Sequence, residues 1–528
     1  MALRLSDVVA VSAAVAATTS RRAKVELLAG LFRQADDTEL AVVVALAAGA
    51  PRQGRIGVGW ATLAGLGDLP PGPGGVRTVR DLDRLLDDLA ALAGPGSATA
   101  RVGRLGTFLA GTDTAERELL TRLLLGGLRQ GALEGVAVEA LALATGIDPA
   151  LVRRALMVQG DLGATATLAR RGGAAALAAA RVEPGRALRP MLAATSPTVA
   201  EAVGELGEVS VEWKLDGARI QVHRDGTDVA VFTRNLNDVT ARFTDVVDAV
   251  LALPGRRLVL DGELIGLDEA TVEPAGPDVT GAARQAPRPF QDTISRFATD
   301  RSGAAAAGLT PFFFDCVHLD GDDLLDEPLT RRLEALDATA GALVVPRLVT
   351  ADPAAAAAFA GDAVARGHEG VMVKALSSPY AAGCRGATWR KVKPVRTADL
   401  VVLAAEWGHG RRTGRLSNLH LGARDPDRPD AFVMVGKTFK GLTDAVLAWQ
   451  TEALLTRQVS VSGITVTVRP ELVVEIAFDG VQRSRRYPGG VALRFARVRR
   501  YRPDKAPSEA DTVGSLQALV AGAAEQAG

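Results

Sequence analysis

The chain has 528 residues, which predicts three or four domains, and its 48% hydrophobic and 23% charged content is ordinary for a globular protein. Its 61 basic and 61 acidic residues cancel, so any nucleic-acid-binding surface must be local. The two cysteines, Cys316 and Cys384, exclude a four-cysteine zinc module and more than one disulfide, and they fit a reducing cytoplasm. No uninterrupted apolar run reaches membrane-spanning length, and residues 8–17 are interpreted as the first helix of a folded domain rather than a signal peptide. We therefore expect a cytoplasmic protein that does not enter a membrane.

Residues 1 to about 180 are predicted to be helical, because apolar residues recur at helical spacing and no strand-like alternation of any length appears. Clusters of Gly and Pro divide the segments. The predicted helices are 24–35, 38–48, 79–92, 115–125 and 136–145.

A glycine-marked corner at residues 125–131 lies between two of these segments, beside Arg122 and Arg129. Such a corner can offer backbone N–H groups and cations to a phosphate backbone. It can equally be a packing turn between two helices, and the residues leave both interpretations open.

An alanine-rich stretch at 174–180 is followed by Pro184-Gly185, and we place the first domain boundary at about 183–190. Beyond it, short strand-like runs alternate with helical patterns, which indicates an α+β domain. The predicted strands are 209–213, 220–223, 229–233, 257–262, 311–317 and 370–374, and the predicted helices are 244–253, 329–336 and 354–366.

After Pro394 the pattern is again rich in strands. Five short strands and one helix in about 130 residues suit a small barrel of the oligonucleotide-binding (OB) type. The predicted strands are 400–406, 416–422, 432–437, 466–469 and 472–478, and the predicted helix is 444–456.

Lys214 lies at the most informative corner of the chain. A strand over 209–213 leads into it, Asp216-Gly217 turns the chain, and a second strand leaves, which predicts a hairpin with a tight turn. An ordinary lysine, with a pKa of about 10.4, must lose its proton to act as a nucleophile, and burial or a nearby cation such as Arg219 favours that loss. The alternative is a surface hairpin with solvated charges, which these few residues do not exclude.

Further clusters follow downstream, each at a strand end or within an apolar run. The last is a basic run over 494–505, with six basic residues against one acid. Lys391 and Lys393 share one strand face because residues two apart point to the same side. The remaining clusters contain Arg234-Asn235, Asp261-Gly262-Glu263, Phe313-Phe314-Asp315 and Glu369 to Lys374.

Taken in this order, the clusters resemble the nucleotidyltransferase motifs of the ATP-dependent DNA ligases. Residues 188–193 and 289–291 also look like family sequence, and the helical region resembles the family's DNA-binding domain in size and pattern. The motif positions are 214–219, 234–235, 261–264, 314, 369–374, 389–393 and 494–505.

The resemblance implies a multidomain architecture. We expect an all-α N-terminal DNA-binding domain over 1–185, an α+β nucleotidyltransferase (adenylation) domain over 186–396 and a C-terminal OB-fold β-barrel over 397–528. The third domain would close over the nucleotide and then rotate away so that DNA can enter.

The resemblance also gives the residues of the central motifs their roles. Lys214 would attack the α-phosphate of ATP, release pyrophosphate and carry AMP on its amine. Glu212 would accept a hydrogen bond from the adenine amine, and Phe314 would stack on the base. Arg219 and Arg234 would bind ribose or phosphate.

The other motif residues would handle charge on the phosphates. Glu263 and Glu369 would hold Mg²⁺, a hard cation that prefers carboxylate and water. Lys391 and Lys393 would grip the α-phosphate, and Arg385 would lie near the nucleotide. Arg502 and Lys505 would orient the leaving pyrophosphate from the third domain, since phosphoryl transfer depends on positioning and charge neutralisation.

The implied function is ATP-dependent sealing of nicks in double-stranded DNA by a monomer in the bacterial nucleoid, in replication, repair or recombination. Other covalent nucleotidyltransferases are the first rivals: the large helical region argues against RNA ligases and capping enzymes, and the missing zinc cysteines argue against NAD-dependent ligases. The second rival is a non-catalytic protein that binds nicks or ends. Intact Lys214, Glu263, Glu369 and Lys391 argue against it.

Overall fold

The structure is a computed structural model that describes residues 2–54, 56–66, 69–128, 134–267, 309–381, 385–428 and 431–525. Arg129, Cys384 and the stretch 289–291, all named above, lie outside the described residues. For Arg385 the description covers the backbone and not the side chain.

The first region is helical, as predicted, and each predicted helix coincides with an observed one. Side-chain caps fix several ends; Asp113 and Glu116, for example, form a reciprocal capping box at the start of one helix. The helices are α1 (Leu5–Ala17), α2 (Arg21–Gln34), α3 (Leu40–Ala47), α4 (Trp60–Ala64), α5 (Val79–Ala91), α6 (Ser97–Leu109), α7 (Thr114–Leu124), α8 (Glu134–Thr145), α9 (Pro149–Gln159) and α10 (Leu162–Ala178). Their buried apolar residues, such as Leu28, Phe32 and Leu141, share one core.

Within the described ranges, no single helix is long and apolar enough to cross a membrane. Only the bent pair α8–α9, taken together, reaches that length and composition.

The second region contains two sheets with helices around them, which agrees with the predicted α+β pattern. Its strands are β1 (Leu192–Thr195), β2 (Val209–Trp213), β3 (Ala218–Asp225), β4 (Asp228–Thr233), β5 (Arg257–Gly266), β6 (Leu309–Leu319), β7 (Asp322–Asp323), β8 (Arg347–Thr350), β9 (Val371–Ala375) and β10 (Arg385–Val392). Its helices are α11 (Val199–Leu206), α12 (Thr244–Leu251), α13 (Leu329–Ala340) and α14 (Pro353–Ala365). One sheet has the order β1-β10-β9-β2-β8 and the other β4-β3-β5-β6-β7.

The predicted hairpin around Lys214 is wrong. β2 pairs with β8 and β9, whereas β3 pairs with β4 and β5, so residues 214–217 carry the chain from one sheet to the other. Every residue of β2 is buried, because the strand has a neighbour on each side and is covered on both faces. Gly217 is required at the crossing, since a Cβ there would lie 2.3 Å from the carbonyl oxygen of Leu264.

The third region is rich in strands, and the predicted strands and helix all fall on observed ones. The strands are β11 (Arg396–Trp407), β12 (Leu416–Arg424), β13 (Phe432–Thr438), β14 (Gln458–Ser462), β15 (Thr465–Val468), β16 (Val473–Phe478), β17 (Gly480–Arg483), β18 (Val491–Arg494) and β19 (Arg497–Tyr501). The helices are α15 (Asp444–Leu455) and α16 (Val513–Glu525). The main sheet has the order β13-β12-β11-β15-β14, β16 joins β11 to β19, and the sheet is open among the described residues.

Short 3₁₀ turns lie between these elements, at Thr240–Arg242, Gly341–Leu343, Gly410–Arg412 and Pro507–Glu509.

The segment that leaves the helical region is tied to the second region by buried side chains. The backbone N–H of Leu188 donates to Gln221 Oε1 (2.7 Å), and that of Met191 donates to Tyr380 Oη (3.1 Å). Apolar residues of α9 and of this segment pack in one cluster with residues of the second region. The predicted boundary at 183–190 is therefore a firmly held connection rather than a loose linker.

We predict that Arg332→Met destabilises the protein by about 3–5 kcal/mol, because it leaves the carboxylate of Asp315 buried without its cation. Both side chains are 0% exposed, with Arg332 Nε 2.7 Å from Asp315 Oδ1. Arg331 is the matched control, since it is 59% exposed and pairs only with Glu334 at the surface, a type of contact worth about 1 kcal/mol or less. Urea unfolding of the two variants measures the difference, and equal losses would contradict the assignment.

Candidate active site

A cleft of about 950 Å³ lies between the two sheets of the second region and extends to the third region. It begins at the carboxyl end of β2, where the chain crosses between sheets. Nine of the residues predicted from the motifs line it: Glu212, Lys214, Arg219, Arg234, Glu263, Phe314, Glu369, Lys391 and Lys393. The fold thus gathers residues that lie up to 181 positions apart in sequence (212 and 393) into one cavity.

Lys214 and Glu369 are joined through both backbone and side chain. Lys214 N donates to Gly370 O (2.9 Å), and Glu369 N donates to Lys214 O (3.1 Å). The Lys214 ammonium donates to Glu369 Oε2, and the Lys393 ammonium donates to the other oxygen, Oε1, at 2.7 Å. Two cations are thus held around one carboxylate at the mouth of β2.

The charge state of Glu369 follows from these neighbours. Burial acts to raise the pKa of Glu369, but the charges and hydrogen bonds of Lys214 and Lys393 outweigh it and hold the pKa at about 2. The group is therefore a carboxylate throughout the physiological pH range.

Glu212 lies deeper in the cleft and is almost fully buried. Ser210 Oγ donates to its Oε1 (3.1 Å), and Lys374 Nζ lies 2.6 Å from its Oε2. Burial raises the pKa of Glu212, and the charge of Lys374 opposes that rise. Lys374 belongs to the motif at 369–374, but the sequence analysis assigned it no role.

Arg219 lines the cleft, but its guanidinium already has partners. It pairs with Asp261 through two nitrogens, at 3.0 and 2.5 Å, and donates to the carbonyl oxygen of Met191 at 2.6 Å. Its Cζ lies 5.4 Å from the centre of the Phe314 ring. These three hydrogen bonds use three of the five N–H groups of the guanidinium and fix its orientation.

Among the described residues, Glu263 is the glutamate of the cleft with the fewest hydrogen-bond and ion-pair partners. Burial raises its pKa to about 7, and it makes no hydrogen bond or ion pair with the described part of the chain. A half-buried carboxyl that has no partner among the described residues suits a cation, and Glu263 and Glu369 are the two acids predicted to bind one. The described residues contain no cluster of three or more His, Cys, Asp or Glu that could hold a metal, so further oxygen ligands would have to come from outside the protein.

Arg234 and Lys391 line the cleft from opposite sides. Arg234 follows the end of β4, and Lys391 lies on β10, on the same side as Lys393 just beyond the strand end. Arg385 begins β10, and its side chain is outside the description.

Arg502 and Lys505 are not brought into the cleft. Arg502 Nη1 lies 3.0 Å from Asp399 Oδ2, and Lys505 Nζ lies 2.6 Å from the same oxygen, so both pair within the third region. The reason is local: β16 pairs with β19 on one side and with β11 on the other, so the turn after β19 comes close to Asp399 of β11.

Other residues of the third region reach the cleft instead. Arg494 Nη1 lies 2.7 Å from Asp216 Oδ2, and Asp479 Oδ2 lies 3.6 Å from Lys393 Nζ. Burial raises the pKa of Asp216, and the hydrogen bond from Arg494 opposes that rise. Arg494 belongs to the basic run at 494–505 that the sequence analysis singled out. The sequence of a strand does not indicate, however, which of its basic side chains contacts another domain. No motif pointed to Asp479.

Two family models match the chain. The model described as ATP dependent DNA ligase domain matches residues 190–393, and the model described as ATP dependent DNA ligase C terminal region matches residues 412–505. The first range coincides with the two sheets around the cleft.

Curated relatives match nearly the whole chain. A probable DNA ligase from Saccharopolyspora erythraea is 53% identical over 513 residues, which cover 97% of each chain. A probable DNA ligase from Nocardia farcinica is 52% identical over 535 residues and covers 98% of this chain and 99% of the relative. The solved structure Pmar-Lig_PreS3 is 18% identical, covers 94% of this chain and 99% of that chain, and has a TM-score of 0.61, so the fold is shared. The chain therefore belongs to the family of ATP-dependent DNA ligases.

Proposed function

We propose that this ligase seals nicks in double-stranded DNA, with Lys214 as the residue that carries AMP. The observation that supports the proposal is the reciprocal backbone pairing of Lys214 with Glu369 and Gly370, which presents the amine at the mouth of β2. Lys391 and Lys393 line the same cleft and would stabilise negative charge on a phosphate bound there.

The reaction has three balanced steps. The neutral amine of Lys214 attacks the α-phosphorus of ATP, the bond to pyrophosphate breaks, a phosphoramidate bond to AMP forms, and the amine releases one proton to solvent. An oxygen of the 5′-phosphate at the nick then attacks the same phosphorus and frees the lysine. Finally the 3′-hydroxyl attacks the 5′-phosphorus, AMP leaves, and the phosphodiester bond is complete.

Side chains deeper in the cleft are proposed to hold the nucleoside. Glu212, at the floor, would accept a hydrogen bond from the adenine amine, and Phe314 would stack on the base. Arg234 and Arg385 would lie along ribose and phosphate. Arg219, which is held by Asp261, would support the ring of Phe314 by its position against that ring.

Mg²⁺ fits the acids of the cleft. Glu263 would be one ligand, because it lines the cleft half-buried and has no partner among the described residues, and Glu369 would be the second. When bound, the ion would supply positive charge to the phosphate oxygens.

We propose that the three regions correspond to the domains 1–185, 186–396 and 397–528, and that the last is an OB-fold. Arg494 of the third domain contacts Asp216 of the second domain, while Arg502 and Lys505 pair with Asp399 within the third domain. A role for Arg502 and Lys505 in orienting pyrophosphate would therefore require the third domain to turn further towards the cleft.

The helical domain is proposed to hold the DNA, because the other two domains are occupied with nucleotide chemistry. The enzyme is proposed to act as a monomer in the bacterial cytoplasm, associated with the nucleoid. Arg122 is exposed at the end of α7, beside the glycine corner, and is the described residue that best fits a phosphate contact there.

We predict that Lys214→Ala abolishes labelling of the protein by α-labelled ATP, because the acceptor amine is gone. The same variant should still join a nick whose 5′ end already carries AMP, since the last step does not use the lysine. Lys437→Ala is the control, because this lysine pairs with Glu406 in the third region, away from the cleft, and it should leave labelling unchanged. Labelling of the Lys214 variant would show that another residue carries the nucleotide.

Arg494→Met should slow the formation of the AMP adduct by about tenfold to hundredfold, the range for losing a hydrogen bond between charged groups. The reason is that Arg494 is the residue of the third domain that contacts Asp216, two positions from the nucleophile. Arg499→Met is the matched control, since Arg499 lies on the same run but pairs with Glu475 within its own domain and is largely exposed. Single-turnover labelling compares the two, and equal rates would remove Arg494 from the site.

DNA binding by the helical domain can be tested in the full chain, where the apolar cluster between α9 and the second domain stays covered. Arg122→Ala should reduce the slope of log affinity against log salt for nicked duplex by roughly 0.9, the value for one lost phosphate contact. Arg22→Ala is the control, because Arg22 is 89% exposed on α2 and pairs with Glu26. A slope for Arg122→Ala equal to that of the unchanged protein would exclude this contact.

A further inference from the structure

Lys374 is a buried cation at the floor of the cleft, and no step of the reaction uses it. Its side chain is 1% exposed. It lies on the cleft-facing side of β9, two residues after Met372, which also lines the cleft. A lysine with no contact to solvent requires strong compensation for its lost hydration, so its partners identify what it does.

Three residues compensate the ammonium of Lys374 through four contacts. It lies 2.6 Å from Glu212 Oε2 and donates to the carbonyl oxygen of Phe314 at 3.0 Å. It also lies 4.7 Å from the centre of the Phe314 ring and 4.2 Å from that of Trp389, both within the range of cation–π attraction. Lys374 thus joins the carboxylate of Glu212 to the ring of Phe314.

The carboxylate of Glu212 is held on both oxygens. Ser210 Oγ donates to Oε1, and the ammonium of Lys374 pairs with Oε2. A carboxylate can accept about four hydrogen bonds, so lone pairs remain for a donor that enters from the cleft. The orientation of those lone pairs is fixed because Ser210 and Lys374 are themselves buried on neighbouring strands, where they face each other in the β2–β9 pairing.

Other charged groups near Glu212 are already neutralised by their own partners. Arg347 faces Glu212 from β8 but pairs with Asp337. Asp315, whose charge would raise the pKa of Glu212, pairs with Arg332. Lys374 is therefore the cation in direct contact with Glu212, and its charge opposes the rise in the pKa of Glu212 that burial causes.

We propose that Lys374 is a positioning residue that selects adenine, by holding Glu212 as an ionised and oriented acceptor for the amino group at position 6 of the purine. The inference rests on the proposed role of Glu212 as the adenine contact. An ionised, immobile carboxylate accepts from an amino group and repels a carbonyl oxygen in the same place. A protonated Glu212 could donate to that carbonyl, so loss of Lys374 would remove the discrimination as well as the attraction.

The test compares self-labelling by ATP, by GTP and by purine riboside triphosphate, which has hydrogen in place of the 6-amino group. The unchanged protein should prefer ATP to purine riboside triphosphate by about tenfold to hundredfold in kcat/KM, as expected for a hydrogen bond to a charged group. Lys374→Met should reduce this preference to about threefold or less, chiefly by raising KM for ATP, and should narrow the gap between ATP and GTP. Ser210→Ala, which removes the neutral donor to the same carboxylate, should reduce the preference by a smaller factor.

The pH dependence separates positioning from packing. Without Lys374, burial should keep Glu212 protonated to higher pH, so the lost preference for ATP should be largest at low pH and should recover as pH rises. The double variant Lys374→Met/Glu212→Gln should show the same base preference as Glu212→Gln alone, because Lys374 acts through Glu212. If Lys374→Met does not fold, Lys374→Gln, which is neutral but can still donate, replaces it under the same criteria.

Two outcomes would overturn the inference, and a third concerns the function itself. A folded Lys374 variant that labels more slowly but keeps the full preference for ATP at every pH would make Lys374 a packing residue only. An additive loss in the double variant would show that it acts independently of Glu212. If the unchanged protein did not become labelled by ATP, the proposed function itself would be rejected. The contacts of Lys374 would then not serve adenine selection.

Discussion

The geometry of the cleft depends on one carboxylate, that of Glu369, which two lysines share. Glu369 accepts from Lys214 on one oxygen and from Lys393 on the other, although Lys214 and Glu369 are 155 residues apart in sequence. The contact exists because β2 and β9 are neighbouring strands, and the backbone pairing continues past the end of both strands to residues 214, 369 and 370. This backbone pairing holds the two lysines and the glutamate at fixed distances. Fixed distances matter in a cleft, because each charge would be poorly solvated if its partner moved away.

The cleft then gives three glutamates three different environments. Glu369 is ionised because two lysines outweigh its burial. Glu212 is buried too, but it has one cation and one hydroxyl donor. Glu263 has no partner among the described residues, and burial raises its pKa to about 7. Residues of one chemical type can therefore differ in charge and contacts within one cavity: Glu369 holds two lysines, Glu212 pairs with Lys374 and Ser210, and Glu263 has no partner among the described residues.

Much of the site could be predicted from sequence because its residues sit at strand ends in a fixed order. Lys214, Glu263, Phe314 and Glu369 follow or interrupt apolar runs that are easily recognised, and the structure brings all four to one cleft. The hairpin was wrongly predicted for a physical reason. The sequence pattern of two strands joined by a turn is the same whether the strands pair with each other or with distant strands. The period of the side chains does not encode which strands are neighbours.

The contacts between regions could not be predicted for a related reason. Arg494 and Arg502 belong to the same basic run, and nothing in their local sequence indicates that the first reaches Asp216 while the second pairs with Asp399. The sequence also predicted a barrel for the third region, but closure depends on pairings between distant strands, and the sheet is open among the described residues. The same holds for Lys374: its motif was recognisable, but its contacts with Glu212 and Phe314 involve residues of other strands.

The most direct test of the account is to locate the nucleotide on the protein. After incubation with ATP, the protein would be digested at neutral or alkaline pH, which preserves a phosphoramidate, and the AMP-bearing peptide would be sequenced by mass spectrometry. We expect a single adduct, on Lys214, that disappears when nicked DNA is added. An adduct on a different residue, or sealing of nicks by a protein that never carries AMP, would contradict it.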